Sequence, residues 1–268
     1  MILKIVAAIT LVSVPTAFVA ALVLGRLFPG VSLTVRFVTL LLITGGVLAL
    51  AVFERRSPIF GSITWKGPPG SNRIALTFDD GPNEPFTSRI ISILKEKQVG
   101  ATFFVIGRNC EKYPEVLKRL DSEGFEIGNH AWTHEVLPLK TPSRARWEIE
   151  RTSVFIEKIT GKRPALFRAP HGWRNPWTNR AARASGCTPV AWTLGVWDTD
   201  RPGAQTIVRR TVDGVRDGCI ILLHDGRGTE HQADSSQLVE ALPFIIDELK
   251  LRGFEFVKLS RLMRAGTP

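Results

Sequence analysis

Residues 76–82 read Leu-Thr-Phe-Asp-Asp-Gly-Pro, an apolar run that ends in two adjacent carboxylates and a turn. The run from 74 to 78 has the length and composition of a buried strand, and Gly81-Pro82 stops it. Asp79 and Asp80 therefore stand at the mouth of a strand. Two carboxylates held together out of water repel. A divalent cation removes that difficulty if one Asp becomes a ligand and the other stays beside it as a general base. A turn whose carboxylates cap backbone amides is the other reading, and the motif alone leaves both open.

Working outward, short apolar runs recur at 102–106, 125–127, 165–167, 188–192, 220–223 and 254–257. Segments with helical spacing lie between most of them, at 86–98, 113–124, 143–161 and 235–253, the last three closed by Gly124, Gly161 and Gly253. Repeating β then α predicts an α/β fold, a parallel sheet covered by helices. Seven strands point to a closed or nearly closed barrel, with a doubly wound open sheet as the alternative. Such folds collect their chemistry at the carboxyl ends of the strands. Ionisable residues fall there after five runs: Asp79 and Asp80, His130 and His134, Arg168, Asp198, and His224 with Asp225. "HAWTH" (130–134) places two imidazoles where one short turn aims both at one point. Two His and one carboxylate leave a coordination position open for water, as catalytic zinc sites do.

The chain has 268 residues, 44% hydrophobic and 22% charged, which suits a packed domain rather than disorder. Its net charge is +10. Residues 1–71 carry Lys4, Arg26, Arg36, Arg55, Arg56 and Lys66 against Glu54 alone. That density suits an anionic membrane surface. No basic stripe with interleaved aromatics occurs, so nucleic acid is not an expected partner. Cys110, Cys187 and Cys219 show no CxxC spacing and read as small buried hydrophobes; their odd number leans toward a reducing compartment.

Residues 5–24 carry no charge, and neither do residues 37–53 before Glu54-Arg55-Arg56. Both runs are expected to form membrane spans, a helical hairpin over residues 1–56 that contacts membrane lipid. A cleaved signal peptide is the rival for the first run, but its apolar stretch is long and no small-x-small site follows. Residues 57–71, with "KGPPGSN", read as a linker, and 72–268 as the catalytic domain. The positive-inside count favours a cytoplasmic catalytic face at the cell membrane by a margin of two charges.

"TFDDGP", "HAWTH", "RAPHG" (168–172), "WTLGVWDT" (192–199) and "LLH" (222–224) resemble, in order and spacing, the five motifs of the NodB-type polysaccharide deacetylases, carbohydrate esterase family 4. The resemblance covers roughly residues 72–260. It implies a distorted (β/α) barrel and a metal-dependent deacetylase. By it, Asp79 matches the catalytic base, and Asp80, His130 and His134 the ligands of Zn2+ or another divalent metal such as Co2+, Mn2+ or Ni2+. Arg168 matches the residue that orients the base, His224 the general acid, and Asp198 the carboxylate that tunes it. Leu222 matches a wall of the acetyl pocket, and the backbone amide of His171 the oxyanion donor. Trp173, Trp177 and Trp197 offer sugar-stacking surface, with rim or core packing as the plainer role. Three positions depart from the family's usual pattern: His171 where an aromatic stands, Ala131 in place of Ser or Thr, and Asp198 followed by Thr199 rather than Trp.

The expected substrate is an N-acetylated glycan, with a lipid-linked one among the candidates. An O-deacetylase or deformylase on the same scaffold is the alternative in chemistry. A non-catalytic, membrane-tethered sugar-binding protein is the alternative in class.

Overall fold

The computed structural model describes residues 2–264. Eight strands run in the order β1 (Arg73–Asp79), β2 (Ala101–Val105), β3 (Glu126–Asn129), β4 (Leu166–Phe167), β5 (Thr188–Pro189), β6 (Leu194–Gly195), β7 (Ile220–His224) and β8 (Glu255–Phe256). Ten α-helices accompany them: α1 (Ile2–Leu24), α2 (Leu33–Phe53), α3 (Phe86–Glu96), α4 (Gly107–Lys112), α5 (Pro114–Ser122), α6 (Pro142–Thr160), α7 (Pro176–Ala184), α8 (Ala204–Gly214), α9 (Ser236–Leu251) and α10 (Leu259–Arg264).

All strand pairs are parallel, in the order β5-β4-β3-β2-β1-β7-β6, with β8 beside the start of β1. The two ends of that path, β5 and β6, are consecutive in the chain and only residues 190–193 join them. Seven strands laid flat would put the outer two about 29 Å apart, at ~4.8 Å per step. Five Cα steps reach about 17 Å. The sheet must therefore curl, and it forms the distorted parallel barrel expected from the sequence. The run at 188–192 was expected as one strand; the chain instead makes two short strands around a crossing, because the same few residues must leave one edge and join the other.

β1 lies at the centre and is buried from Ile74 onward, as a strand covered on both faces should be. The main core lies between the sheet and α3, α5, α8 and α9, with Ile91, Leu94, Leu120, Ile245 and Leu249 all buried. Phe103 on β2 stacks on Phe78 with centroids 4.9 Å apart and meets Phe125 edge-on at 5.5 Å. Thr141 caps α6 by accepting from Arg144 N–H, and Gly161 ends it in the left-handed region at φ 72°. The three cysteines are free and buried.

α1 and α2 pack as an antiparallel hairpin. Ser13, Ala17 and Ala21 are buried on α1, spaced one turn apart, and Ser13 faces Gly45. Small side chains at that spacing let two helices approach closely. Most of the hairpin's remaining apolar side chains, such as Leu11, Leu42 and Leu50, are exposed. Among the described residues one helix, Leu33–Phe53, is long and apolar enough to cross a membrane, with hydropathy 2.2; Ile9–Leu24 is a shorter apolar helix.

Residues 54–66 run along the gap between β5 and β6. The Thr64 N–H donates to Pro189 O, the Ala191 N–H donates to Thr64 O at 2.7 Å, and Thr193 Oγ1 donates to Trp65 O at 2.7 Å. Asn179 and Arg183 on α7 donate to the carbonyls of Phe60 and Ser62.

Replacing Phe103 with Ala is expected to lower the unfolding free energy by about 3–5 kcal/mol, measured by denaturant titration, because the space left by a fully buried ring packed against two others cannot be refilled.

Candidate active site

The ends of β1, β3, β4 and β7 converge. β1 pairs with β7 so that Asp79 is opposite His224, and β3 pairs with β4 so that Asn129 is opposite Phe167. The residues one step further, Asp80, His130, Arg168 and Asp225, thus stand on one rim.

Asp80 has φ 77°, in the left-handed region. Gly228 N–H donates to Asp80 Oδ2 at 2.8 Å, and Asn109 Nδ2 donates to Asp80 O at 2.7 Å. The other oxygen, Oδ1, is buried and has no hydrogen bond of acceptable geometry. His130 Nε2 and His134 Nε2 approach it to 3.3 and 3.0 Å. The ligand atoms of these three residues lie within 4.8 Å of one another. His130 Nδ1 lies 2.8 Å from Arg168 O, an acceptor only, so Nδ1 carries the proton and Nε2 presents its lone pair. An orphaned carboxylate oxygen facing imidazole nitrogens, with the tautomer held from behind, is a donor set that fits a divalent cation. Burial raises the pKa of the Asp80 carboxyl, but the facing His134 and His130 outweigh it and hold it well below its ordinary value.

Asp79 is 3% exposed and does not belong to this triad of ligands. Arg168 Nη1 donates to its Oδ1 at 2.7 Å and to Thr77 Oγ1 at 2.8 Å, while Nη2 donates to Ala191 O at 3.1 Å. Arg168 is fully buried, and its guanidinium lies over the Phe104 ring at 4.1 Å. Asp79 Oδ2 remains on the side of the histidines, 3.7 Å from His130 Nε2. Gly81 must be glycine here: a Cβ would overlap the Asp225 carboxylate.

On the opposite wall, Asp198 holds His224 at two points. The His224 backbone N–H donates to Oδ2 at 2.7 Å, and Nδ1 lies 2.9 Å from Oδ1. Burial lowers the His224 pKa, but the Asp198 charge and hydrogen bond outweigh it and raise it to about 9. His171 is pushed the other way, to about 4, by burial and by the neighbouring His134 and His130. Its ring meets that of His134 edge-on at 4.6 Å, and its backbone sits in the left-handed region at φ 61°.

These groups line one cavity of about 590 Å³. Asp79, Asp80, His130, His134, His171, Trp173, Trp197, Leu222 and His224 all contribute to its wall. Arg168 and Asp198 lie behind it, on Asp79 and His224. Trp197 is 69% exposed at the mouth, while Trp177 lies away from the cavity, donating to Lys140 O.

Several participants were not legible as site residues. Glu148 on α6 is fully buried and accepts from the N–H groups of Trp132 and Thr133, at 2.9 and 2.7 Å, and from Thr133 Oγ1 at 2.7 Å. Arg144 balances its charge at 2.7 Å. Asn129 Oδ1 accepts from Ala131 N–H at 2.8 Å. Together they shape the 130–134 turn, in which Ala131 and His134 take φ of 67° and 58°. The signal for Glu148 is slight: an acidic residue on the apolar face of a helix. Trp192 also lines the cavity, as do Arg55 and Arg227.

Residues 66–190 match the polysaccharide deacetylase family. The peptidoglycan-N-acetylglucosamine deacetylase of Bacillus cereus is 36% identical over 209 residues, 76% of this chain and 94% of that protein. The chitooligosaccharide deacetylase of a Bradyrhizobium species is 36% identical over 201 residues, 72% of this chain and 91% of its own length. The crystal structure of the Bc1960 peptidoglycan N-acetylglucosamine deacetylase superposes with a TM-score of 0.71 at 32% identity, covering 75% of this chain and 92% of the other. The chain belongs to the polysaccharide deacetylase family, the NodB-type group of carbohydrate esterase family 4, and is an enzyme that hydrolyses amide bonds in glycans.

Replacing Glu148 with Ala frees the turn that carries both imidazoles. Divalent-metal affinity, measured by calorimetry, is expected to fall about 10–100-fold, since that is the usual cost of losing the groups that orient ligands.

Proposed function

We propose that this chain is a membrane-anchored, metal-dependent N-deacetylase that removes an acetyl group from an amino sugar of a glycan. In this reading residues 1–56 anchor, 57–71 connect and 72–268 catalyse. The observation that carries it is the buried Asp80 Oδ1, facing two imidazole nitrogens without a hydrogen bond, beside a second carboxylate held by Arg168. The apolar hairpin with exposed side chains supports the anchor, and the charge count favours a cytoplasmic catalytic face.

Asp80, His130 and His134 would hold the ion, Zn2+ or another divalent metal. Such an ion polarises the amide carbonyl and lowers the pKa of water toward neutrality. The protein's own groups do the rest. Asp79 receives the proton of the attacking water on Oδ2, because Oδ1 is occupied by Arg168. The guanidinium holds Asp79 in place through the hydrogen bond to Oδ1. The His171 backbone N–H donates to the oxygen on which charge develops. Leu222 closes the acyl side of the cavity, and Trp173 and Trp197 offer ring faces to the sugar. An amine leaves poorly until protonated, so His224, a cation at neutral pH, gives it the proton from Nε2.

Asp79→Asn keeps the shape but cannot take a proton. It is expected to lower kcat for acetate release at least ~100-fold while the metal still binds; turnover near the parent rate would remove Asp79 from the base role.

The acid form of His224 exists below its raised pKa of about 9, so activity should be lost as pH rises through that value. In Asp198→Asn the alkaline limb of the pH–rate profile is expected to move acidward, toward the ordinary histidine value of about 6.5. An unmoved limb would assign the titration to another group.

A further inference from the structure

The chain does not leave the barrel when α2 ends. Phe53, its last residue, meets the Trp173 ring edge-on with centroids 5.2 Å apart, and Trp173 lines the catalytic cavity. Two residues later Arg55 lines the same cavity. The segment is clamped from beneath by Arg174, which is 1% exposed and donates through Nη2 to Arg55 O at 3.2 Å and Ser57 O at 2.5 Å.

Arg55 is half-buried. Its Nε donates to Trp192 O at 3.1 Å and its Nη2 to Thr193 O at 3.3 Å. A guanidinium has five N–H donors, so both donors on Nη1 and one on Nη2 remain. Among the described residues no carboxylate pairs with it. Its guanidinium carbon lies 5.4 Å from the centre of the Trp192 ring, another wall of the cavity. The roles assigned above to Asp79, the three ligand residues, His171 and His224 make no use of this cation. A fixed, unpaired guanidinium fork in a cavity wall matches a phosphate or carboxylate, which accepts two of its hydrogen bonds side by side.

Position narrows the choice. Arg55 lies two steps along the chain from Phe53, at most about 7 Å. If α2 spans the bilayer, Arg55 lies at the level of the lipid headgroups, where the hydrocarbon ends. A sugar esterified through phosphate to a membrane lipid carries its phosphate at that level and its acetamido group on the neighbouring ring carbon, just to the aqueous side.

We infer that Arg55 is a substrate-binding residue that receives the phosphate of a lipid-linked N-acetylated sugar, so that the junction between hairpin and barrel is itself a wall of the active site. This rests on the deacetylase reading of the same cavity. The hairpin then does more than hold the enzyme at a surface: it sets the cavity at the depth of the phosphate.

The test uses the full-length chain in detergent micelles, with three acetylated substrates: polyprenyl-phosphate-linked N-acetylglucosamine, N-acetylglucosamine 1-phosphate, and neutral N-acetyl-chitotetraose. In Arg55→Gln the ratio of kcat/KM for the lipid-linked sugar to that for the neutral one is expected to fall at least tenfold, through KM, and Arg55→Lys is expected to recover part of it. An unchanged ratio overturns the inference. Equal kcat/KM of the parent enzyme for the lipid-linked and soluble phosphates overturns the lipid as the source of the anion. Calorimetric binding of N-acetylglucosamine 1-phosphate separates this from the chemistry. If no substrate releases acetate, yet Arg55→Gln weakens that binding at least tenfold, the anion site stands and the deacetylase reading falls. With neither acetate release nor a binding difference, both fall.

Discussion

The site depends on one buried arginine. Arg168 joins the two halves of the chemistry through a single residue: its guanidinium holds Asp79, and its backbone carbonyl fixes the tautomer of His130. A cation sunk in a barrel is costly unless it is paired and hydrogen-bonded. Asp79, Thr77 and Ala191 supply that compensation, and the Phe104 face covers the guanidinium. The same contacts that make Arg168 tolerable therefore orient the base. A one-residue shift of β4 against β3 would withdraw the arginine and release His130 together, which ties the strand register to the proton inventory of the site.

Around this centre the supporting groups are hydrogen-bonded and mostly buried. Glu148 and Asn129 satisfy the amides of a turn whose backbone takes left-handed values at Ala131 and His134. Asp198 grips both the backbone and the ring of His224. These contacts hold the imidazoles before any substrate arrives, so little reorganisation remains for the reaction itself. Two histidines of this one cavity are pushed in opposite directions. His224 stays charged because a carboxylate lies against it, and His171 stays neutral because it is buried, with His134 and His130 beside it.

The curl of the sheet links the N-terminal segment to the site. The path from β5 to β6 is too short for a flat sheet, and the closure it forces leaves a seam. Residues 54–66 fill that seam, with Thr64 pairing along Val190 and Trp65 and Arg55 tied to residues 192 and 193. Residues 57–66, which read as a connector, thereby pack against the barrel, and Arg55, just before them, lines the cavity.

The alternation of runs and the residues that end them were legible because strands bury continuous apolar segments and expose chemistry at their carboxyl ends. Asp79, Asp80, His130, His134 and His224 could be picked out on that basis, and the five motifs extended the reading to Arg168 and Asp198. Glu148, Asn109 and Arg55 could not. Each acts on a group 15 to 137 residues away in the chain, and no local pattern records such a contact. Local composition determined which segments became strands, where they stopped and which reactive groups stood at their ends. Only the curled barrel decided which of those groups meet, because distances across a curled sheet depend on register and curvature, and neither is a property of any one segment.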